Sequence, residues 1–303
     1  MDIKGVFTIM PTPFTATGEL DVPSLERLVD FQLECGIHGL AILGFLGEAH
    51  KLASGERRTV IETVLKRVAG RVPIWVGVRA LGTIGAIEQG REAESLGAAG
   101  LFAAPIGGLN DAALFEYYRT LAAAMKIPVY IHDFPEALGA GITAELVARC
   151  VKEGGVAGIK LEEPPVGIKL SKIRELAGDR CKIFGGLGGT YFLEELERGA
   201  NGTMTGFAFP EILVRIYEEF SAGRRDAAAR VFDRYCPLIR YEFQPKVGIA
   251  LRKHTYMRRG AIACDLIRPP GPKLDAITRG ELERTVKRVG LDLDAKGRQK
   301  LVD

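Results

Sequence analysis

Gly155-Val156-Ala157-Gly158-Ile159-Lys160-Leu161-Glu162 is a short apolar run that ends in a lysine, with a glutamate two residues further on. An ammonium at the tip of a buried strand is costly unless it is paired or used. Burial also lowers a lysine's pKa, and a neutral amine can attack a ketone to form a Schiff base. If the strand runs past Lys160, period-2 alternation puts Glu162 on the same face and turns Leu161 away. The alternative is a lysine that lays its stem along a strand end and keeps its charge in water.

Outward from this run, short apolar segments alternate with longer ones of helical spacing. The strand-like segments are Val6–Met10, Gly39–Leu43, Ile74–Val78, Gly100–Ala104, Val129–Phe134, Val156–Lys160, Lys182–Gly185 and Gly202–Thr205. Between them Ser24–Cys35 places Leu25, Leu28, Val29 and Leu33 on one face, and Gly55–Val68 does the same with Val60, Ile61, Val64 and Leu65. Further helices are expected at Thr83–Leu96, Ala112–Met125, Ala144–Lys152, Ile168–Ala177, Tyr191–Arg198 and Glu211–Ala222. Eight β/α units call for a parallel sheet, and their regular alternation predicts a closed (β/α)8 TIM barrel over residues 1–222. An open doubly wound sheet is the rival, but no GxGxxG opens a helix after the first strand. Gly185-Gly186-Leu187-Gly188-Gly189 lies at the seventh strand, where it either approaches a ligand or makes a tight turn.

Residues 223–303 carry no further strand. They read as a C-terminal helical extension with helices at Arg224–Tyr241, Lys246–Arg259 and Leu274–Val289, and Pro269-Pro270-Gly271-Pro272 as a stiff link. The basic run Arg252-Lys253…Arg258-Arg259 is expected on a solvated helix face. Net charge is +3, too small to argue for nucleic acid or a membrane surface. No apolar run approaches the ~20 residues of a membrane span, and no signal peptide is read at the N-terminus. Five cysteines, widely spaced and without a CxxC, suggest reduced thiols in a cytoplasm and no zinc site.

Barrel enzymes place their chemistry at the C-terminal ends of the strands. There, His132 shares a face with Tyr130 and Phe134 on strand five and is expected beside Lys160. It can move protons, or serve as a core imidazole bonded to backbone. Asp133, of opposite parity, is expected behind the site or at a helix start. Gly44, Phe45, Leu46 and Gly47 make a small turn whose amides can hold a carboxylate, or simply turn the chain. A metal on His132, Glu162 and Glu48 is disfavoured by the lysine among them.

Several stretches together resemble the dihydrodipicolinate synthase / N-acetylneuraminate lyase family. They are Pro11-Thr12-Pro13-Phe14, Gly44-Phe45-Leu46-Gly47-Glu48 with Leu52 and Glu56-Arg57, Gly158-Ile159-Lys160, and Gly199-Ala200-Asn201-Gly202. The resemblance implies a TIM barrel whose Lys160 carries the Schiff base. The chain departs from the family where strand five usually ends in YNxP, here His132-Asp133-Phe134-Pro135. It departs again at Phe45 and Leu46, which replace hydroxyl residues, at Pro105-Ile106-Gly107, which lacks a tyrosine, and at Ala137, which stands for an arginine. These departures argue against dihydrodipicolinate synthase activity itself. Lys160-Leu161-Glu162, Gly202-Thr203-Met204-Thr205-Gly206, Ala222-Gly223-Arg224-Arg225-Asp226, Pro237-Leu238-Ile239-Arg240-Tyr241-Glu242 and Ala261-Ile262-Ala263-Cys264-Asp265 resemble the L-2-keto-3-deoxyarabonate dehydratase branch.

The expected function is a Schiff-base lyase, dehydratase or aldolase, acting on a 2-oxo acid such as a 2-keto-3-deoxy sugar acid. Lys160 is the nucleophile, His132 or Glu162 moves the proton, and Gly44–Gly47 with Thr205 hold the substrate. No cofactor or metal is expected, because the protonated imine is the electron sink. The family resemblance implies a homodimer or homotetramer. The competing readings are a pyruvate aldolase of the dihydrodipicolinate synthase type and a non-catalytic barrel that binds a 2-oxo acid.

Overall fold

The computed structural model describes residues 3–302. Eight strands, β1 (Gly5–Ile9), β2 (Gly39–Ile42), β3 (Ile74–Val78), β4 (Gly100–Ala103), β5 (Val129–Asp133), β6 (Gly158–Leu161), β7 (Lys182–Gly185) and β8 (Gly202–Thr205), lie within a residue or two of the expected runs. Each pairs in parallel with its chain neighbours, and β8 closes on β1. This is the TIM barrel expected from the alternation.

The helices are α1 (Val22–Glu34), α2 (Ser54–Val68), α3 (Thr83–Leu96), α4 (Asp111–Ala123), α5 (Pro135–Leu138), α6 (Ala144–Glu153), α7 (Val166–Ala177), α8 (Phe192–Glu197), α9 (Pro210–Ser221), α10 (Arg225–Glu242), α11 (Gly248–Arg258) and α12 (Ala276–Arg288). Local chemistry starts many of them. Asp21, Asn110, Thr143 and Asp275 each accept an N–H from the first turn of the helix that follows, a cap worth about 1 kcal/mol. The short α5 was not expected; Pro135 opens it directly after β5.

Alternation along the strands produces two cores. Outward residues such as Leu40, Ile42, Leu101, Ile159 and Leu161 pack under the helices. Inward residues fill the barrel: Phe7, Trp75, Tyr130 and Phe184, from β1, β3, β5 and β7, form one aromatic layer. Burying each such side chain stabilises the fold by roughly 1.5–3 kcal/mol. Ala41, Phe102 and Met204 supply inward positions on β2, β4 and β8. The corresponding position on β6 is Lys160. The lysine thus stands on an aromatic floor, and that floor is what desolvates it.

The chain after α9 folds back onto the barrel. Buried groups tie it there: Tyr256 donates to the Phe207 carbonyl at 3.1 Å, and Arg259 pairs with Glu211 at 2.6 Å. Lys253 pairs with Glu48 at 2.5 Å. The solvated basic face expected at Arg252–Arg259 is therefore corrected. Arg252, Lys253 and Arg259 are all buried, because α11 is covered on both sides and the barrel supplies anionic partners to Lys253 and Arg259.

Candidate active site

Register decides the centre of the site. In the β5–β6 pair, His132 lies opposite Lys160. Lys160 Nζ is 3.1 Å from His132 Nε2, and His132 Nε2 is 3.2 Å from Glu162 Oε2. Lys160 Nζ also contacts Glu162 Oε2 directly. Glu162 follows the last residue of β6 and keeps its parity, so it returns to Lys160's face as alternation requires. All three are buried, Lys160 3% and Glu162 5% exposed.

The electrostatics follow from burial. Lys160 is held well below the usual lysine range, first by desolvation and then by the positive charge of Arg252. His132 is held well below its usual range by desolvation, with Lys160 and Arg79 adding to the effect. The imidazole therefore stays neutral at neutral pH, and Lys160 gains nucleophilic character.

The glycine loop after β7 holds the site without facing it as a ligand cradle. The Leu187 N–H donates to Glu162 Oε1 at 3.1 Å, and the Gly188 N–H donates to Thr205 Oγ1 at 2.9 Å. A Cβ on Gly186 would overlap the Glu162 side chain, so this residue must be small for the glutamate to reach Lys160.

That cavity encloses about 210 Å³. Lys160, His132, Glu162, Thr205, Gly44, Phe45 and Leu46 line it. Gly47 does not; its carbonyl instead accepts from Thr12 Oγ1 at 2.6 Å. No backbone bond is made by the N–H groups of Phe45, Leu46 and Gly47 among the described residues. Phe134 stands 5.8 Å from Lys160 Nζ and edge-to-face with Phe45 at 6.2 Å.

Two other residues sit elsewhere. Asp133 faces outward and pairs with Lys169 at 2.7 Å rather than capping a helix. Glu48 points away from His132 and Glu162 and is bound by Lys253 and Lys51.

A family model described as the dihydrodipicolinate synthetase family matches residues 2–289. The chain belongs to that family. Among curated members it is 34% identical to L-2-keto-3-deoxyarabonate dehydratase of Azospirillum brasilense, over 94% of each chain. It is 29% identical to 4-hydroxy-tetrahydrodipicolinate synthase of Syntrophus aciditrophicus, over 95% of this chain and 99% of that one. The solved dihydrodipicolinate synthase of Rhodopseudomonas palustris superposes with a TM-score of 0.89 at 35% identity, covering 95% of this chain and 98% of that one. As a member of the dihydrodipicolinate synthetase family, the chain is a lyase. No helix among its described residues is long and apolar enough to cross a membrane.

Sequence reading missed the far wall of this family member's cavity. Phe243, Gln244, Pro245, Lys246, Gly248 and Ile249, with Arg252, come from the α10–α11 junction in the C-terminal extension. Only the place where α11 lands puts them there.

Proposed function

We propose that this lyase acts through a Schiff base on Lys160 and removes water from a 2-keto-3-deoxy sugar acid, with L-2-keto-3-deoxyarabonate as the first substrate to test. The contact of Lys160, His132 and Glu162 in one desolvated cavity carries this reading. The similarity to the Azospirillum dehydratase over nearly the whole chain supports the substrate class.

The neutral Lys160 amine adds to the C2 ketone, and loss of water leaves a protonated imine. The free amides of Phe45 and Leu46 hold the C1 carboxylate, with the Thr205 hydroxyl beside it. The iminium draws electrons from C3. Glu162 takes the C3 proton, and an enamine forms. The enamine expels the C4 hydroxyl, Glu162 returns its proton to that oxygen, and water departs. A second water then hydrolyses the unsaturated iminium and frees Lys160. His132 stays neutral and holds Glu162 by a hydrogen bond while the proton moves. Glu162 fits the carrier role because its Oε2 touches Lys160 Nζ, next to which C3 must lie.

Ala137 lines the cavity and offers no charge, which weighs against dihydrodipicolinate synthase activity. The expectation of a homodimer or homotetramer belongs to this reading too, and sedimentation of the purified protein tests it. The test of the chemistry is borohydride reduction with pyruvate and with L-2-keto-3-deoxyarabonate, followed by peptide mass spectrometry and product analysis. A reduced adduct on Lys160 and an unsaturated or rearranged five-carbon product support the dehydratase. Pyruvate as a product would make it an aldolase. No adduct with either acid would leave a non-catalytic barrel.

A further inference from the structure

Glu162 lies one residue past the end of β6. Its N–H donates to the Asp133 carbonyl at 2.8 Å, which carries the β5–β6 ladder one bond further. Pro164 and Pro165 come next but one and have no N–H to continue the pairing. Behind the sheet, Lys169 of α7 reaches both strand ends. Its Nζ is 2.7 Å from Asp133 Oδ2 and also contacts Glu163 Oε2. Asp133 follows His132 and Glu163 follows Glu162, each with the opposite parity, so both carboxylates turn away from the cavity. The Lys169 side chain is 10% exposed and that of Asp133 is fully buried. Glu163 also packs against the loop between α5 and α6, where a Cβ on Gly141 would come within 2.9 Å of its carboxyl.

The two carboxylates on this ammonium are not equivalent. Asp133 belongs to β5 and is paired with Leu161, so it is a fixed anchor. Burial pushes its carboxyl up to about 6, while Lys169 and the Ile142 backbone pull it down and Glu163 pushes it up. That value is below neutrality, so Lys169 keeps an anionic partner at pH 7. Glu163 lies outside the strand, and the ammonium draws it back onto the anchor. Without Lys169 the two carboxylates would repel each other and push the end of β6 away from β5. Lys160 is less dependent on this tie, because strands on both sides hold it, opposite His132 and Phe184. We propose that Lys169 is a positioning residue for proton transfer, which sets Glu162 against Lys160 by fixing Glu163 to Asp133. Lys169 touches no substrate in this role, and the proposal rests on the imine reading of Lys160.

The test separates the work of Lys160 from that of Glu162 in the full chain at pH 7. Borohydride trapping of pyruvate reads Lys160, and exchange of the pyruvate C3 protons with deuterated water reads Glu162. Lys169→Met should slow exchange at least tenfold. The pyruvate concentration that half-saturates trapping, and the trapping rate, should stay within twofold of native. Glu163→Gln removes the partly exposed arm and keeps the proposal testable if Lys169→Met does not fold. It should slow exchange at least threefold with trapping unchanged. A merely structural pair would lower exchange and trapping together, and that result would overturn the proposal. So would native exchange in either variant. If the native chain forms no adduct with pyruvate or L-2-keto-3-deoxyarabonate, the imine reading fails alone. Amide hydrogen exchange then decides the role of Lys169. The Glu162 N–H should exchange at least tenfold faster in Lys169→Met or Glu163→Gln, with the β5 amides unchanged. Native protection of that N–H would overturn the proposal.

Discussion

Lys160 Nζ lies 3.1 Å from His132 Nε2 because the β5–β6 register sets the two residues side by side at the mouth of the barrel. Burial depresses the charged form of both; the Lys160 charge adds to the effect on His132, and Arg252 to that on the lysine. Both groups are thereby biased toward their neutral forms in the folded protein.

This bias has a pH signature. A lysine whose folded pKa is lowered is neutral above that value and loses reactivity only as pH falls through it. The rate of borohydride-trappable adduct formation with pyruvate should hold a plateau through neutral pH and fall on acidification. A rate that climbs tenfold per unit up to pH 10 would show an ordinary lysine.

Glu162 and His132 can be separated by deuterium exchange. Glu162→Gln should still form the reduced Lys160 adduct but exchange the C3 protons of pyruvate with deuterated water at least about 10²-fold more slowly. His132→Phe should slow turnover by about 10²-fold or more while leaving some exchange. Exchange at the native rate in Glu162→Gln would pass the proton to His132. Proton NMR of the pyruvate methyl group reads both variants.

Gly186 is required by the reach of Glu162, since a Cβ there would overlap that side chain. Gly186→Ala should lower turnover about tenfold or more, with near-UV circular dichroism unchanged. A fully active variant would show that Glu162 has room to move aside without cost.

Glu195 provides a stability test away from the cavity. It is buried, and its pKa is pushed up to about 8, first by burial and then by Glu194, with the Gly186 backbone pulling the other way. The unfolded chain titrates near 4.5, so between those values the folded protein holds a proton that the unfolded chain has lost. Its stabilising effect is complete below the lower value and is lost as pH rises through the upper one. Glu195→Gln should match the native protein at pH 5 and melt at least ~2 °C higher at pH 9. Equal melting temperatures at pH 9 would show that the folded chain carries the charged Glu195 carboxylate at no cost.

Lys253 and Glu48 form a fully buried pair that joins α11 to the loop after β2. Removing one partner leaves an uncompensated buried charge. Lys253→Met should destabilise the protein by roughly 3–5 kcal/mol in urea titrations. A loss under 1 kcal/mol would mean that Lys51 and the Arg268 N–H, which also bind Glu48, already neutralise it.

The sequence by itself determined the barrel and the cluster at the mouth of β5 and β6. Strand and helix periods are local properties, and eight β/α units have few ways to bury both faces of their strands. Neighbouring strands in such a barrel are neighbours in the chain, so His132, Lys160 and Glu162 could be brought together by counting alternate residues. The use of the β7 glycine loop to hold Glu162 and Thr205 was half legible, since the glycines were visible but not the side chains they admit. Arg252 was not legible at all. Its run of charges reads as a solvated face, because a helix period distinguishes only one buried face and α11 is covered nearly all round. Glu48 and Lys253 are separated by 205 positions, and no local pattern connects them. Only the docking of α11 onto the barrel turned a basic stretch into part of a cavity wall. That docking is the sum of many weak contacts between distant segments.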